Sequence, residues 1–195
     1  MLQQLLKNHQ LILASGSPRR QQFFKDLGLD FTIQVREVEE VYPDHLLAEE
    51  ISDYLAELKA SVFTQLNPKE ILVTSDTIVW HNKKALGKPK TKEDAKSMIR
   101  SLSDTTHEVI TSVCFKTVSS LTTINQKTKV TFKPLSDQEI NYYVETFAPM
   151  DKAGAYGIQE WIGYIGITHI EGSYFNVMGL PTHLVYETLT TIAKS

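Results

Sequence analysis

The alternation of apolar and polar stretches predicts strands and helices in turn. Leu11, Ile12 and Leu13 form a short apolar run of the kind that makes a buried strand. Ala14, Ser15, Gly16 and Ser17 follow, all small, and Pro18 suits the first turn of a helix. Phe23, Phe24 and Leu27 share one side of that helix, and Gly28 is placed to cap its end. Residues 31–35 predict a second strand. Pro43 and Asp44 predict the opening of a helix, with Asp44 as N-cap and Leu47, Ile51, Tyr54, Leu55, Leu58 and Val62 on its apolar face. Residues 71–80 predict a buried strand interrupted by Thr74, Ser75, Asp76 and Thr77.

Beyond it, residues 81–84 read as a hairpin turn and Gly87, Lys88 and Pro89 as a loop. Thr91 with Asp94 resembles a capping box and predicts a helix to about Ser101. Residues 109–118 and 123–132 predict two antiparallel strands joined by a polar turn. Ser136 with Glu139 is a second capping box, starting a helix that carries Ile140, Tyr143, Val144 and Phe147. Residues 150–159 form a glycine-containing loop with Lys152 and Gln159. Residues 161–170 predict a strand and 172–179 a loop, and Pro181 opens a last helix to about Ala193. The pattern is α/β, without internal repeats, low-complexity tracts or flexible linkers.

Composition adds limits. A chain of 195 residues fits one domain, or one domain with two lobes. A net charge of -3 argues against a general nucleic-acid binder. The single cysteine, Cys114, lies in an apolar run and reads as an inert core thiol. No apolar run reaches the roughly 18 residues expected of a membrane span. The first ten residues lack a charged start followed by an apolar signal core, so a reducing cytoplasm is the default. The six histidines show no zinc-ligand spacing. Five of them are expected at the surface, and His107 as a structural, hydrogen-bonding histidine.

Three places carry chemistry. At the 14–20 turn, a helix N-terminus offers backbone N–H groups and a positive dipole end, and Arg19 and Arg20 add planar charged forks that match phosphate. The turn reads either as a phosphate cradle or as an ordinary capped helix with two solvated arginines. Lys59 lies beside the apolar face of its helix, where a lysine usually lays its stem along the core. Asp76 is a carboxylate inside an apolar strand frame, and a buried carboxylate must be paired, solvated or bound to metal. The alternative places it in a turn between two short strands. Glu37 and Glu39 read as a solvated acidic loop.

LASGSPRR, spanning Leu13 to Arg20, resembles the opening signature of the Maf family of nucleoside triphosphate pyrophosphatases. VEE ending at Glu40, LAELKA from Leu55, SDTIV from Ser75, GKP from Gly87, THEVIT from Thr106, DKAGAYGIQ from Asp151 and GSYFNVMGLP from Gly172 agree with it, in order along nearly the whole chain. The resemblance implies a single Maf-like domain over residues 1–195. Its fold would be an elongated mixed sheet flanked by helices, with two lobes around a deep cleft. It implies hydrolysis of a nucleoside triphosphate to monophosphate and pyrophosphate with Mg²⁺ or Mn²⁺. In this pattern Asp76 matches the general base near the metal, and Glu40 helps hold the metal. Ser15, Ser17, Arg19, Arg20, Lys59 and Lys88 match phosphate ligands. Arg19, Thr77 and Gln159 match the subgroup that prefers dTTP and UTP over 7-methyl-GTP, and a neutral amide at Gln159 suits a pyrimidine edge. Homodimers are usual in the family, and a link to inhibition of septum formation leaves a non-catalytic role as a second reading. The chain departs from the common pattern at Ser75, where alanine is usual, and at Asp104 and Ser112, where glycine is common.

Overall fold

The computed structural model describes residues 1–194. Its elements are α1 Leu2–Leu5, β1 Gln10–Leu13, α2 Pro18–Asp26, β2 Phe31–Ile33, α3 Glu49–Ser61, β3 Glu70–His81, β4 Lys84–Leu86, α4 Lys92–Leu102, β5 Thr106–Lys116, β6 Leu121–Phe132, α5 Asp137–Phe147, α6 Trp161–Gly166, β7 Ile167–Glu171, α7 Tyr174–Val177 and α8 Thr182–Ile192. Short 3₁₀ turns cover Leu6–Asn8 and Ala153–Ala155. The strands form one seven-stranded sheet in the order β2-β1-β3-β5-β6-β7, with β4 paired to β3. β1 is parallel to β2 and β3, whereas β4 is antiparallel to β3 and β7 to β6. The predicted α/β class, with a mixed sheet and flanking helices, is the one observed.

The chain divides into two compact units. The first contains residues 1–76, 111–126 and the segment from Gly179 on. β1 lies between two parallel neighbours, so Leu11, Ile12 and Leu13 are all buried, which is why its sequence is a continuous apolar run. Ile12, Leu72 and Cys114 pack with Ala56, Ala60 and Phe63. The two alanines let α3 approach the strands closely. Burial pushes the Cys114 thiol up, consistent with an inert core residue. Gly28 ends α2 with a φ of +67°. Its N–H donates to Lys25 C=O and that of Leu29 to Phe24 C=O, the two bonds of a Schellman cap.

The expected start of α3 at Asp44 is not observed; the helix begins at Glu49. The Glu50 carboxylate instead accepts from the Leu47 N–H at 2.9 Å, closing a turn ahead of the helix. Leu47 is consequently exposed, and the buried face is Ile51, Ser52, Leu55, Ala56 and Ala60. Ser112, at a place where glycine is common, donates from its hydroxyl to the Ser52 hydroxyl at 2.7 Å.

The second unit is Thr77–Ile110 with Lys127–Met178. Asn82 and Lys83, at φ +49° and +59°, make the two-residue turn between β3 and β4. Ser136 and Glu139 form the expected capping box at α5. Ile140, Tyr143 and Val144 of α5 pack with Ile99 and Leu102 of α4 and with Val109, Val130 and Phe132 of the sheet. Asp104 takes the left-handed φ of +57° that glycine would otherwise supply, a conformation Asp tolerates.

Three expectations fail in this unit. Residues 161–166 are a helix rather than a strand, because Gly163 and Tyr164 donate their N–H groups back to Glu160 C=O. Only β7 is extended. Residues 174–177 are a one-turn helix rather than a loop, capped by Ser173 and anchored by the buried Asn176 amide, which donates to Val109 C=O at 3.0 Å. His81 is buried rather than at the surface, its ring 6.5 Å from that of His107.

Candidate functional site

The first unit brings most of the predicted site residues onto three neighbouring elements. At the end of β1 the chain still bonds to β3, with the Ala14 N–H donating to Val73 C=O at 2.9 Å. It then turns through Ser15, Gly16 and Ser17 into α2. Ser15 is buried, and its hydroxyl accepts from the Ser17 N–H at 3.3 Å, while the Gln21 amide donates to Ser15 C=O at 3.1 Å. Ser17 is the N-cap residue but makes no side-chain capping bond, and Pro18 is N1 as expected. Arg19 is half-buried on the first turn.

Arg20 is anchored to the backbone rather than solvated. Its Nε donates to Gly179 C=O at 2.8 Å and its Nη1 to Ser75 C=O at 2.9 Å. Burial lowers its pKa, opposed by the attraction of Asp76, and arginine stays protonated throughout. A fixed guanidinium therefore stands beside the carboxylate-bearing strand. Sequence reasoning missed these partners because both are backbone carbonyls far along the chain, which no residue type marks.

Asp76 lies within continuous β3, not in a turn, and is 7% exposed. Thr74 and Asp76 share a face of the strand. The Thr74 hydroxyl donates to Ala56 C=O at 2.6 Å, fixing α3 against β3. One turn further along α3, Lys59 places its ammonium 2.6 Å from Asp76 Oδ1 and 3.2 Å from Glu40 Oε1. Asp76 Oδ2 has no hydrogen-bond partner among the described residues. Lys59 thus neutralises two carboxylates rather than merely covering the core, and Glu40 differs from Glu37 and Glu39 by joining it.

These donors fit part of the shell of a hard cation. Asp76 and Glu40 both reach one point, marked by the Lys59 ammonium, and Mg²⁺ is typically held by one or two carboxylates plus water and substrate phosphates. No group of three or more His, Cys, Asp and Glu suited to a metal occurs among the described residues.

Thr77, Lys88 and Gln159 belong to the second unit. Thr77 is half-buried next to Asp76 in β3. Lys88 is exposed in the loop after β4 and has no ion-pair partner among the described residues. Gln159 is half-buried in the turn preceding α6, and its amide makes no hydrogen bond among the described residues. The adjacent Glu160 is engaged, its carboxylate paired with Lys152 at 3.0 Å.

The fold is thus a mixed sheet flanked by helices, whose first strand–turn–helix carries an anchored arginine beside a buried carboxylate paired to lysine. This chain belongs to the Maf-like protein family, which it matches over residues 10–192. It is 65% identical over 193 residues to the dTTP/UTP pyrophosphatase of Flavobacterium johnsoniae, covering 98% of this chain and 100% of that one. It is 58% identical to the dTTP/UTP pyrophosphatase of Christiangramia forsetii, with both chains fully covered. The Ham1 protein of Staphylococcus aureus shares the fold, with a TM-score of 0.51 at 15% identity over 94% of this chain and 99% of that chain.

Proposed function

We propose that this protein hydrolyses nucleoside triphosphates to the monophosphate and pyrophosphate, with dTTP and UTP preferred, and that residues 1–195 act as one catalytic domain. The observation that carries the proposal is Asp76, held in β3 by Lys59 with its second oxygen open. The relatives named dTTP/UTP pyrophosphatase, identical at 65% and 58% of positions, support the substrate class.

In this reading Asp76 takes a proton from water. The water oxygen bonds to the α-phosphorus, the α–β anhydride bond breaks, and pyrophosphate leaves. Ser15, Ser17, Arg19, Arg20, Lys59 and Lys88 bind the phosphates and stabilise charge as it moves onto the leaving group. Bound Mg²⁺ or Mn²⁺ on Asp76 and Glu40 would neutralise triphosphate charge. Arg19, Thr77 and Gln159 select the base. The Gln159 amide offers donors and an acceptor to a pyrimidine's carbonyls and N–H, whereas a carboxylate there would favour the donor-rich edge of a methylated guanine. A homodimer acting in the reducing cytoplasm completes the proposal. No helix among the described residues is long and apolar enough to cross a membrane.

The test is a panel of nucleoside triphosphates with Mg²⁺ or Mn²⁺, reading monophosphate and pyrophosphate. The expected result is kcat/KM for dTTP and UTP well above that for CTP, ATP and 7-methyl-GTP, with Gln159→Glu eroding the preference. Comparable kcat/KM for 7-methyl-GTP and dTTP in the unmutated protein would refute the assignment. Metal-independent binding without turnover would instead favour the non-catalytic regulator.

A further inference from the structure

The loop before α6 and the helix α5 carry an ion-pair network to which the reading of the site gives no task. Lys152 is its centre. The side chain is 9% exposed, with its ammonium 2.7 Å from Asp151 Oδ1 and 3.0 Å from Glu160 Oε1. Glu160 Oε2 accepts from the Tyr143 hydroxyl, and that hydroxyl accepts in turn from the Gly157 N–H at 3.0 Å. Burial, reinforced by Glu160, pushes the Tyr143 pKa up, so the phenol keeps the proton it donates. Both oxygens of Glu160 are therefore taken by neighbours within the second unit.

Gly157 shows how closely the loop is fitted around this pair. A Cβ there would lie 2.8 Å from Glu160 Cδ and 3.1 Å from Lys152 Cε. The ion pair occupies the space a side chain would need, so a side chain there would push the pair aside. Gln159 stands between buried Ile158 and the engaged Glu160, with its own amide unbonded among the described residues.

We infer that Lys152, Glu160 and Tyr143 form a specificity-determining positioning network, which withdraws the Glu160 carboxylate and leaves the neutral Gln159 amide as the group that meets the base. The inference rests on Gln159 being the base reader. An unrestrained carboxylate one residue from that amide would supply the acceptor that suits a guanine edge, and the Lys152 ammonium and Tyr143 hydroxyl suppress it by occupying both oxygens.

The experiment measures kcat/KM for dTTP and for 7-methyl-GTP in the unmutated protein, Lys152→Met, Lys152→Met/Glu160→Gln and Gln159→Glu. Lys152→Met frees one oxygen of the Glu160 carboxylate and is expected to lower the dTTP to 7-methyl-GTP ratio about tenfold, the scale at which one pocket contact changes discrimination. Removing the carboxylate as well is expected to bring the ratio back to within about threefold of the original, since the group that misreads the base is gone. Gly157→Ala wedges the pair apart by a separate route and serves if Lys152→Met does not fold; it should lower the ratio in the same direction. A network that only stiffens the loop would depress both substrates alike and leave the ratio unmoved in every variant, which overturns the inference. If Gln159→Glu erodes the preference while Lys152→Met and Gly157→Ala leave it intact, the reading of Gln159 stands and the network's role falls. An unmutated protein with no preference for dTTP defeats both.

Discussion

Two lysines in this protein each hold two carboxylates, and their surroundings give them different work. Lys59 in the first unit reaches Asp76 at 2.6 Å and Glu40 at 3.2 Å. Lys152 in the second reaches Asp151 at 2.7 Å and Glu160 at 3.0 Å. Burial does not separate them, since their side chains are 17% and 9% exposed. The unused oxygen does. Glu160 has both oxygens bonded, one to Lys152 and one to the Tyr143 hydroxyl. Asp76 has one oxygen bonded, and the other meets no hydrogen-bond donor among the described residues. A fully satisfied network rigidifies, whereas an oxygen without a protein donor stays open to a substrate or a cation.

The sharpest way to break this comparison is Asp76→Asn. The change is nearly isosteric, keeps an oxygen for Lys59 and removes the charge of the proposed base. Turnover of dTTP should fall on the order of 10²–10⁴ while the melting temperature stays close to that of the unmutated protein. Near-normal turnover in a folded variant would show that the open oxygen is not the reactive one.

Deleting each lysine should have different signatures. Lys152→Met strands a carboxylate in a closed network, and breaking a buried pair from one side costs about 3 kcal/mol, the low end for such pairs because Glu160 keeps the Tyr143 bond. Lys59→Met leaves Glu40, 44% exposed, to water but strands Asp76, 7% exposed, so it should also cost about 3 kcal/mol; what sets it apart is a large fall in kcat, whereas Lys152→Met shifts the dTTP to 7-methyl-GTP ratio. Urea midpoints read together with kcat for the two variants decide it, and a folded Lys59→Met protein with unchanged kcat reverses the contrast.

Arg20 tests whether the first unit also contains a closed element. Arg20→Ala should raise KM and lower kcat together, because the triphosphate is held in both ground and transition states. It also leaves Gly179 and Ser75 carbonyls without a donor, at about 1 kcal/mol each. Arg20→Lys keeps the charge but cannot fork to both carbonyls, so it should recover only part of the lost activity. Unchanged kinetic parameters in Arg20→Ala would make the guanidinium structural alone.

The same contrast explains what the sequence revealed. Local signals were legible where a residue type has one strong local use, as with Pro18 at the start of α2, Gly28 at its cap and the Ser136–Glu139 box. Asp76 and Lys59 were visible as charges placed against apolar patterns. Their meeting was not, because it depends on Thr74 bonding to Ala56 C=O and on small alanines bringing α3 close. Asp44 misled because a good N-cap residue competes with a turn closed by Glu50. Residues 161–170 misled because alternating apolar residues with two glycines suit either period, and the bonds to Glu160 C=O decide for a helix. Arg20's carbonyl partners left no mark in the sequence at all.

The smallest effect, and the one confined to the second unit, concerns pH. His107 is 2% exposed, bonds through Nε2 to the Tyr156 hydroxyl at 2.8 Å and stacks on Phe132 with ring centroids 5.6 Å apart. Burial, with a smaller contribution from nearby His81, lowers its pKa to about 3. In the unfolded chain the imidazole takes a proton near its ordinary value of 6.5. Between those limits the unfolded state binds the extra proton. The stability from a neutral His107 is complete above about 6.5 and is lost as pH falls toward 3, at a slope of up to about 1.4 kcal/mol per pH unit. His107→Gln keeps a hydrogen-bonding group for Tyr156 but does not titrate. It should be less stable than the unmutated protein at pH 7, by about 1 kcal/mol for the lost ring packing, and should close that gap or reverse it on acidification. Denaturant unfolding from pH 7 to pH 5 reads the difference directly. Parallel pH profiles for the two proteins would mean that His107 is solvated enough to titrate normally, and that the second unit is less closed than its hydrogen bonds make it.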